Sequence, residues 1–496
     1  MAQSRSFNPR TGRSVAAMEP TDNCGVDWAL RAATRSLDSM ARQHPDHRAS
    51  WLRSIASAIE AHANELVELA DTETALGLDR LHGELFRTAE ALRFYGAAAS
   101  EGSWLGATID RGNGAKPDLR RINQPLGPVA VFGASNFPFG FGVVGHDTAS
   151  ALAVGCPVVV KAHPAHPRLS TALAEIALAA LTREGAPEGV FNLVSGFTAG
   201  EQLVSHTLTA AVAFTGSQRG GMALWQLANS RDQVIPVFAE MGTVNTVVIT
   251  PSAAVSRGSE IAEGFVESFT GGMGQVCTKP GILLVPQQSD IPTLLIEAFH
   301  RCVSSGWLLT EDIASHFADG IKAFIDRGAE VLASTDPPKS GFGAGPALLR
   351  VPVEAMVSQS RFFEECFGPV ALVCEYRDQT ELDAVLRRLP GGLAAAVHSH
   401  GDEDESMIRL VDQLSRIAGR VVVNGWTTGV APGWSQHHGG PWPATSNPKS
   451  TSVGSAALSR FVRPTTYQNV PEAALPPALQ MSNPWQLPRR VDGLMS

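Results

Sequence analysis

Short apolar runs alternate with segments of helical character along this chain, and that alternation limits its possible folds more than any other feature. A helical segment such as LSTALAEIALAALTREG separates each run from the next. Repeated strand–helix–strand units produce parallel strands covered by helices. The pattern therefore predicts an α/β fold with a Rossmann-type, dinucleotide-binding layer. The runs of this first series are PVAVFGAS (128–135), PVVVKAH (157–163), GVFNLVSG (189–196), AAVAFTG (210–216) and VIPVFAEM (234–241).

A second series of apolar runs predicts a second α/β domain. It comprises NTVVITP (245–251), GILLVPQ (281–287), PVALVCEY (369–376), GLAAAVHS (392–399) and GRVVVNG (419–425). Ahead of both series, residues 27–100 show helical spacing of apolar positions, and residues 102–121 indicate a loop or a protruding hairpin. The acidic run GDEDES (401–406) indicates a solvated helix start, and the tail from Phe461 is rich in proline.

Composition narrows the class of protein. The 496 residues correspond to about three domains of ~150 residues. A net charge of −9 does not indicate the basic surface that binds nucleic acid or an anionic membrane. Apolar stretches are shorter than the ~20 residues of a membrane span, and the start of the chain lacks a secretory signal pattern. The six cysteines form no CxxC pair and show no metal-type spacing with histidine. These features predict a reduced, cytoplasmic protein without a metal site.

A literal GxGxxG, formed by Gly140, Gly142 and Gly145, follows the first strand. The Rossmann fingerprint also needs an acidic residue at the end of the next strand, which holds the ribose hydroxyls. Here that strand ends in Lys161, Ala162, His163 and Pro164. We therefore interpret these glycines as packing residues at a helix start.

Cys277 is the first candidate for chemistry, in the segment GGMGQVCTKPG. Glycines let a backbone approach a ligand closely, so a thiol among them is presented rather than packed. A free cysteine in other surroundings is more often buried and inert.

Glu240 and Asn136 each follow or end an apolar strand, in FAEMG and ASNFP. The ends of parallel strands face the crevice where such sheets bind ligands. A carboxyl in a partly apolar site suits general-base work, and an amide can stabilise an oxyanion. Taken singly, Glu240 can equally be an ion-paired or capping residue, and Asn136 a turn residue.

Together, ASNFP, VVVKAHPAHP, FTGSQRGG, FAEMG, GQVCTKPG and EECFGP resemble the aldehyde dehydrogenase superfamily over residues 20–470. Finer details resemble the α-ketoglutarate-semialdehyde (2,5-dioxopentanoate) dehydrogenase branch, which includes a bacterial long-chain fatty aldehyde dehydrogenase. These details are DTASALAVGCPVVVKAHPAHP, FTGSQRGGMALWQLAN, FAEMGTVN, CTKPG and HHGGPWPAT.

The resemblance implies a role for each catalytic candidate. The residue at Cys277 attacks the aldehyde to give a thiohemiacetal, whose oxyanion is held by Asn136 and the cysteine's own N–H. Oxidation gives a thioester, and Glu240 activates the water that releases the acid. His438, in HHGGPWPAT, matches a histidine near the thiol in this branch, although a solvated histidine remains an alternative.

The resemblance also implies the cofactor residues. Lys161 matches a contact to the adenosine ribose, Gly216 and Ser217 match a pyrophosphate-binding turn, Glu365 grips the nicotinamide ribose, and Phe367 packs beside it. Members that prefer NAD typically have a glutamate where this chain has Pro164. We therefore expect NADP to be preferred over NAD, with His163, His166 and Arg168 as possible further donors to a phosphate.

The family fold implies three parts. Residues 1–103 and 123–241 would form the cofactor-binding domain, and residues 242–450 the catalytic domain. Residues 104–122 and 451–496 would form a small oligomerisation or bridging element, so we expect a homodimer or homotetramer. The expected partner is a small-molecule aldehyde rather than nucleic acid or a membrane.

The leading hypothesis is NAD(P)-dependent oxidation of an aldehyde to an acid, with 2,5-dioxopentanoate to 2-oxoglutarate as the best single guess. The alternative is a long-chain fatty aldehyde, for which Phe137, Phe139, Trp426 and Trp434 either line an apolar tunnel or belong to the core. A non-catalytic binding protein on the same fold is a third hypothesis. Joint retention of Cys277, Glu240 and Asn136 argues against it.

Overall fold

A computed structural model describes residues 4–401 and 405–495. The helices are α1 (Asn23–Arg42), α2 (Pro45–Ala61), α3 (Ala63–Thr74), α4 (Leu78–Glu101), α5 (His146–Val154), α6 (Pro167–Arg183), α7 (Phe197–Ser205), α8 (Gln218–Asn229), α9 (Pro251–Thr270), α10 (Ile291–Cys302), α11 (Glu311–Ile325), α12 (Val353–Ser358), α13 (Gln379–Leu386) and α14 (Glu405–Ser415). Within this part of the chain, no helix combines the length and apolarity that crossing a membrane requires.

The strands in the first half of the chain are β1 (Ser4–Asn8), β2 (Arg13–Met18), β3 (Thr108–Asp110), β4 (Leu119–Pro125), β5 (Val129–Phe132), β6 (Val158–Lys161), β7 (Phe191–Val194), β8 (Ala211–Gly216), β9 (Val237–Met241) and β10 (Asn245–Ile249). Those in the second half are β11 (Pro280–Pro286), β12 (Gly306–Trp307), β13 (Glu330–Ser334), β14 (Gly343–Ala344), β15 (Ala347–Arg350), β16 (Val370–Tyr376), β17 (Ala395–His398), β18 (Val421–Val423), β19 (Val462–Gln468), β20 (Arg490–Val491) and β21 (Leu494–Met495).

The first apolar series forms one parallel sheet, in the order β7-β6-β5-β8-β9. Each of its strands is buried almost throughout, because helices cover both faces. Helices α2, α4, α5 and α6 pack on one face, and α1 and α7 pack on the other. From β5 the chain adds β6 and β7 on one side, and it then returns to add β8 and β9 on the other side of β5. Sheets of α/β proteins bind ligands where the strand order reverses in this way.

The second series forms a seven-stranded sheet in the order β13-β15-β16-β11-β10-β17-β18. All its neighbouring strands are parallel except β13, which runs antiparallel to β15 at one edge. Helices α9 and α10 cover one face, and side chains from α11 to α14 fill the other. The sequence analysis predicted the five strands from β16 to the edge strand β18, and it missed β13 and β15 at the other edge.

A third, smaller sheet has the strand order β19-β4-β3-β20-β21. Its strands come from the two parts of the chain in which the bridging element was expected. The hairpin expected within residues 102–121 is the antiparallel pair of β3 and β4. The proline-rich tail supplies β19, which pairs along the whole of β4. This pairing ties the last part of the chain to the segment that precedes β5.

Two local predictions concern turns. Gly142 and Gly145 are packing residues, as expected, since an added Cβ would lie 1.8 Å from the Pro138 carbonyl oxygen and 2.1 Å from that of Gly140. Of the acidic run, residues 402–404 lie outside the described residues, and α14 begins at Glu405.

Candidate active site

The carboxyl edge of the first sheet carries several of the predicted site residues. Asn136 follows β5, Lys161 ends β6, Gly216 ends β8, and Glu240 lies next to the end of β9. Because parallel strands point the same way, these ends share one edge. The structure thus brings together four residues that are spread over more than one hundred positions of the sequence.

Cys277 reaches this edge from a loop between α9 and β11. The loop contains three consecutive residues with positive φ, which are Gly272, Met273 and Gly274. At Gly274 an added Cβ would lie 2.3 Å from the carbonyl oxygen of Gly368, so this close approach requires glycine. On the far side, the amide of Asn245 donates hydrogen bonds of 2.9 and 3.0 Å to the carbonyl oxygens of Cys277 and Lys279. The loop therefore holds the partly exposed thiol in a fixed position.

His438 lies between Cys277 and Glu240. Its Nε2 atom is 3.7 Å from the sulfur of Cys277, and its Nδ1 atom is 2.8 Å from Oε2 of Glu240. The hydroxyl of Ser452 also donates a hydrogen bond to Oε2 of Glu240. The alternative of a solvated histidine is wrong, since only 3% of His438 is exposed.

The protonation of His438 follows from its neighbours. Burial by itself lowers the pKa of an imidazole, but the Glu240 carboxylate and Cys277 outweigh it and raise the pKa of His438 to about 10. The ring is therefore an imidazolium at neutral pH, close to both the Glu240 carboxylate and the Cys277 sulfur. Such an arrangement can stabilise negative charge on a sulfur and can hold a carboxylate in place.

Asn136 is buried next to the thiol loop. Its amide donates a 2.9 Å hydrogen bond to the carbonyl oxygen of Gln275, two residues before Cys277. Its own carbonyl oxygen accepts a 2.7 Å hydrogen bond from the Arg80 guanidinium. The amide keeps a second N–H, so it can donate to an oxygen atom held at the thiol.

Glu240, Cys277 and His438 also offer three atoms of metal-ligating type, all within 4.8 Å of one another. The carboxylate and the sulfur, however, face opposite nitrogens of the same ring. One ion cannot lie between both pairs, so the arrangement fits a chain of proton donors and acceptors better than a metal site. The absence of a metal from this site stays a prediction.

Lys161 makes no hydrogen bond or ion pair within the described ranges, and its ammonium lies 4.9 Å from the centre of the Phe197 ring. Burial lowers the pKa of Lys161 to about 8. A cation without a partner at the carboxyl edge of the sheet fits a negatively charged ligand. The lysine side chain can therefore hold the ribose or phosphate end of a dinucleotide.

His163 and His166 were expected as possible further donors to a phosphate, and that role stays a prediction. Burial lowers the pKa of His166 to about 4 and also lowers the pKa of His163, so burial disfavours a positive charge on both rings. The two rings stack with centroids 5.2 Å apart, and Nε2 of His166 lies 3.3 Å from the Ala134 carbonyl oxygen. His166 therefore belongs to the packing beneath the site, and Lys161 is the cation that remains there, with Arg168 exposed nearby.

Gly216 and Ser217 lie where β8 turns into α8. The Ser217 hydroxyl caps that helix by accepting a 3.1 Å hydrogen bond from the Gly220 N–H. Helix N-termini attract phosphate through their free N–H groups and the helix dipole. This turn can hold the pyrophosphate, as the sequence analysis expected.

Glu365 and Phe367, both partly exposed, lie across the crevice in the segment before β16. The Glu365 carboxylate packs on the backbone of Gly242, where an added Cβ would lie 2.0 Å from Oε2. Burial raises the pKa of Glu365 to about 7, although the nearby Lys279 ammonium acts in the opposite direction. Lys279 is itself fixed by a 2.7 Å hydrogen bond to the Val370 carbonyl oxygen. The Glu365 carboxylate thus contacts Gly242, which follows Glu240 by two positions in the sequence. There it can bind the nicotinamide ribose.

The four aromatic residues considered as a tunnel separate into different surroundings. Phe139 is fully buried in the core beneath the first sheet, and Trp426 packs on the core of the second. Trp434 is 56% exposed, and Phe137 lies under the Arg80 guanidinium. They do not form a continuous apolar lining.

Sequence reasoning missed Arg80, Asn245 and Ser452, which hold Asn136, the thiol loop and Glu240 respectively. Neither Arg80 nor Ser452 carries a local signal, because each depends on a contact with a distant segment. Asn245 begins an otherwise apolar strand, and a buried amide there is a signal that could have been used.

Comparison with known proteins agrees with this geometry. The model of the aldehyde dehydrogenase family matches residues 2–461. The chain is 42% identical to alpha-ketoglutaric semialdehyde dehydrogenase 2 of Azospirillum brasilense, over 99% of this chain and 95% of the relative. It is 38% identical to alpha-ketoglutaric semialdehyde dehydrogenase of Acinetobacter baylyi, over 95% and 91%.

Solved structures show the same fold at lower identity. PnpE in complex with nicotinamide adenine dinucleotide superposes with a TM-score of 0.82 at 20% identity, over 94% of each chain. Methylmalonate-semialdehyde dehydrogenase from Oceanimonas doudoroffii gives a TM-score of 0.82 at 20% identity, over 94% of this chain and 95% of that one. With the thiol, the carboxylate and the amide on one crevice, these matches lead to one conclusion: the chain belongs to the aldehyde dehydrogenase family.

Proposed function

We propose that this protein oxidises 2,5-dioxopentanoate to 2-oxoglutarate, with a nicotinamide dinucleotide as the oxidant. One observation carries the chemistry: Cys277 and Glu240 lie on opposite nitrogens of the buried His438, beside the Asn136 amide. The choice of substrate is supported by the two semialdehyde dehydrogenases that this chain resembles at 42% and 38% identity.

The first step is attack by the Cys277 sulfur on the aldehyde carbon. Nε2 of His438 lies 3.7 Å from this sulfur, so the ring can donate an N–H to it. The aldehyde oxygen becomes an oxyanion, and the Asn136 amide with the backbone N–H of Cys277 stabilises it. A nicotinamide dinucleotide held by Lys161, Ser217 and Glu365 would supply the hydride acceptor for this thiohemiacetal, and Cys277 would then carry a thioester.

The second step is hydrolysis of that thioester. Glu240 has one carboxylate oxygen held by His438 and Ser452, while its Oε1 atom is buried and accepts no hydrogen bond from the described residues. Oε1 is therefore the atom that can take a proton from a water molecule as the water attacks the thioester carbonyl. The carboxylic acid product is released, and the Cys277 sulfur is again free beside Nε2 of His438.

The dinucleotide would lie across the crevice. Lys161 would hold the adenosine ribose or its phosphate, Gly216 and Ser217 the pyrophosphate, and Glu365 the nicotinamide ribose, with Phe367 beside it. We propose that NADP is preferred, because Pro164 stands where a carboxylate would repel a 2′-phosphate and the unpartnered Lys161 ammonium attracts one.

The division into parts is proposed along the sheets. Residues 1–103 and 123–241 would bind the cofactor, and residues 242–450 would carry the thiol. The third sheet, from residues 104–122 and 451–496, would join subunits of a homodimer or homotetramer. Its edge strand β21 supports this proposal, because Leu494 and Met495 are 76% and 63% exposed.

The test is a panel of aldehydes with and without a terminal carboxylate, compared by kcat/KM with NADP and with NAD. We expect 2,5-dioxopentanoate with NADP to give the highest value. If decanal exceeded every carboxylated aldehyde tenfold, the long-chain alternative would replace this proposal. If no aldehyde reduced either dinucleotide, the protein would be a non-catalytic member of the fold.

A further inference from the structure

A buried guanidinium lies at the junction of three segments that form the active site. Arg80, in the first turn of α4, donates a 2.7 Å hydrogen bond from Nη2 to the Asn136 carbonyl oxygen. Its Cζ atom lies 5.1 Å from the centre of the Phe137 ring. Its Nη1 atom borders the thiol loop, since a Cβ added to Gly272 would lie 2.6 Å from it. The side chain therefore contacts both the turn that carries Asn136 and the loop that carries Cys277.

The guanidinium keeps one nitrogen without a partner. Nη1 is buried, and it makes no hydrogen bond within the part of the chain that the structure describes. A buried donor left in this state costs on the order of 1–3 kcal/mol, and more when the group is charged. Burial accordingly lowers the pKa of Arg80. The site is thus one that an anion would stabilise.

The neighbouring acid, Glu84, attracts Arg80 through space but accepts no hydrogen bond from its Nη1 atom among the described residues. Glu84 lies one turn further along α4, and its Oε1 atom accepts hydrogen bonds of 2.8 and 3.0 Å from the N–H groups of Phe139 and Gly140. It forms no ion pair with Arg80 among the described residues. Arg87 is a second cation on the same face of α4, where it is exposed and folds over Gly83. Arg80 therefore keeps an unpartnered Nη1 atom beside the thiol loop although Glu84 lies one turn away, whereas Arg87 is in contact with solvent.

We infer that Arg80 binds the terminal carboxylate of the substrate through Nη1 and so makes the enzyme specific for semialdehydes that carry an acid group. The inference rests on the proposed function and adds to it the residue that recognises the substrate. In a five-carbon substrate, four bonds of about 1.5 Å place the carboxylate carbon roughly 5 Å from the aldehyde carbon. Arg80 contacts the turn of Asn136 and, at Gly272, the loop that carries Cys277, so it is a cation that borders both segments around the reacting carbon.

A purely structural role makes a different prediction. If Arg80 only fixed the Asn136 turn, its loss would misplace the oxyanion donor and would slow every aldehyde equally. If it binds the carboxylate, its loss affects only substrates that have one. The ratio of kcat/KM between a charged and an uncharged aldehyde of the same length therefore separates the two roles.

The experiment compares 5-oxopentanoate with pentanal in the unmodified protein, in Arg80→Gln and in Arg80→Met. Glutamine keeps an N–H for the Asn136 carbonyl oxygen and removes only the charge, which matters if the methionine variant does not fold. We expect kcat/KM for 5-oxopentanoate to fall 10- to 100-fold in both variants, as when a charged hydrogen bond is lost. The value for pentanal should change less than about threefold.

Arg87→Met is the matched control, because it removes an exposed arginine from the same face of the helix. It should leave the ratio of the two substrates within about twofold, since an exposed charge is screened by solvent. An equal shift in Arg87→Met, or a parallel loss for both substrates in Arg80→Gln, would overturn the inference. If the unmodified protein oxidised neither aldehyde, the proposed function would fail instead, whereas turnover of pentanal with unchanged ratios would contradict Arg80 alone.

Discussion

The Nδ1 atom of His438 lies 2.8 Å from Oε2 of Glu240, with both side chains almost wholly buried. Since the other nitrogen of the ring faces Cys277 at 3.7 Å, one imidazole connects the attacking sulfur with the carboxylate that later activates water. The two half-reactions therefore share a single charged group, and its protonation matters for stability as well as for catalysis.

The first prediction concerns pH and stability. The pKa of His438 is raised to about 10 in the folded protein, from about 6.5 in the unfolded chain. A raised pKa stabilises the fold fully below the unfolded value, and this contribution is lost as the pH rises through the folded value. The difference in urea midpoint between the unmodified protein and His438→Gln should thus shrink from pH 6.5 to pH 10. A difference that grew over this range would contradict the ion pair.

The second prediction separates the two chemical steps. Cys277→Ala should abolish turnover, because no other group at the site can form the thiohemiacetal. Glu240→Gln should still form the thioester and hydrolyse it slowly. Stopped-flow absorbance should then show one equivalent of reduced cofactor followed by a slow steady state. Full steady-state activity in Cys277→Ala would refute the assignment of the nucleophile.

The third prediction tests the oxyanion donor. Removing one such donor typically lowers kcat by ~10²–10³, and Asn136→Ala should lose about that much. The thermal midpoint should fall little, since the hydrogen bond to Gln275 that disappears is a single one. A loss below tenfold would show that the backbone N–H of Cys277 suffices.

The fourth prediction addresses cofactor choice. Pro164→Glu places a carboxylate near the adenosine ribose, so it should raise the KM for NADP at least roughly tenfold through charge repulsion. The KM for NAD should stay nearly unchanged, which makes NAD the internal control. KM values that already favoured NAD in the unmodified protein would mean that another acidic residue binds the hydroxyls of the adenosine ribose.

The fifth prediction follows from Lys161. Burial lowers its pKa to about 8, so the free enzyme loses this positive charge as the pH rises above that value. The kcat/KM for NADP should fall between pH 8 and 10, and that for NAD should fall less, because NAD lacks the 2′-phosphate. Lys161→Met should remove the difference between the two profiles. Parallel profiles in the unmodified protein would show that Lys161 does not contact the phosphate.

The strands that carry the site were predictable because their composition reflects burial on both faces. Val129–Phe132 is buried at every position, and a strand in that setting appears in the sequence as an unbroken apolar run. By contrast, Glu330–Ser334 is an edge strand with most of its side chains exposed, and nothing in its composition distinguishes it from a loop. Antiparallel pairing with Ala347–Arg350 decides its structure, and pairing is not visible in one segment alone.

The site divides in the same way. Cys277, Glu240 and Asn136 lie at turns and strand ends, which sequence patterns locate well. The charge state of the site depends instead on contacts between distant segments. His163 was expected as a possible donor to a phosphate, and the lowering of its pKa by burial could not be predicted from its own segment. Arg80 carried no signal in its helix, because its neighbours come from the turn at Asn136 and the loop at Gly272.

The contact between Ser452 and Glu240 has a consequence for synthesis of the chain. Glu240 and Cys277 leave the ribosome well before residues 438–452, which supply both partners of the carboxylate. A chain that ends before residue 438 can therefore present the thiol only without His438 beside it. During synthesis the nucleophile therefore emerges first, and both partners of the Glu240 carboxylate follow later.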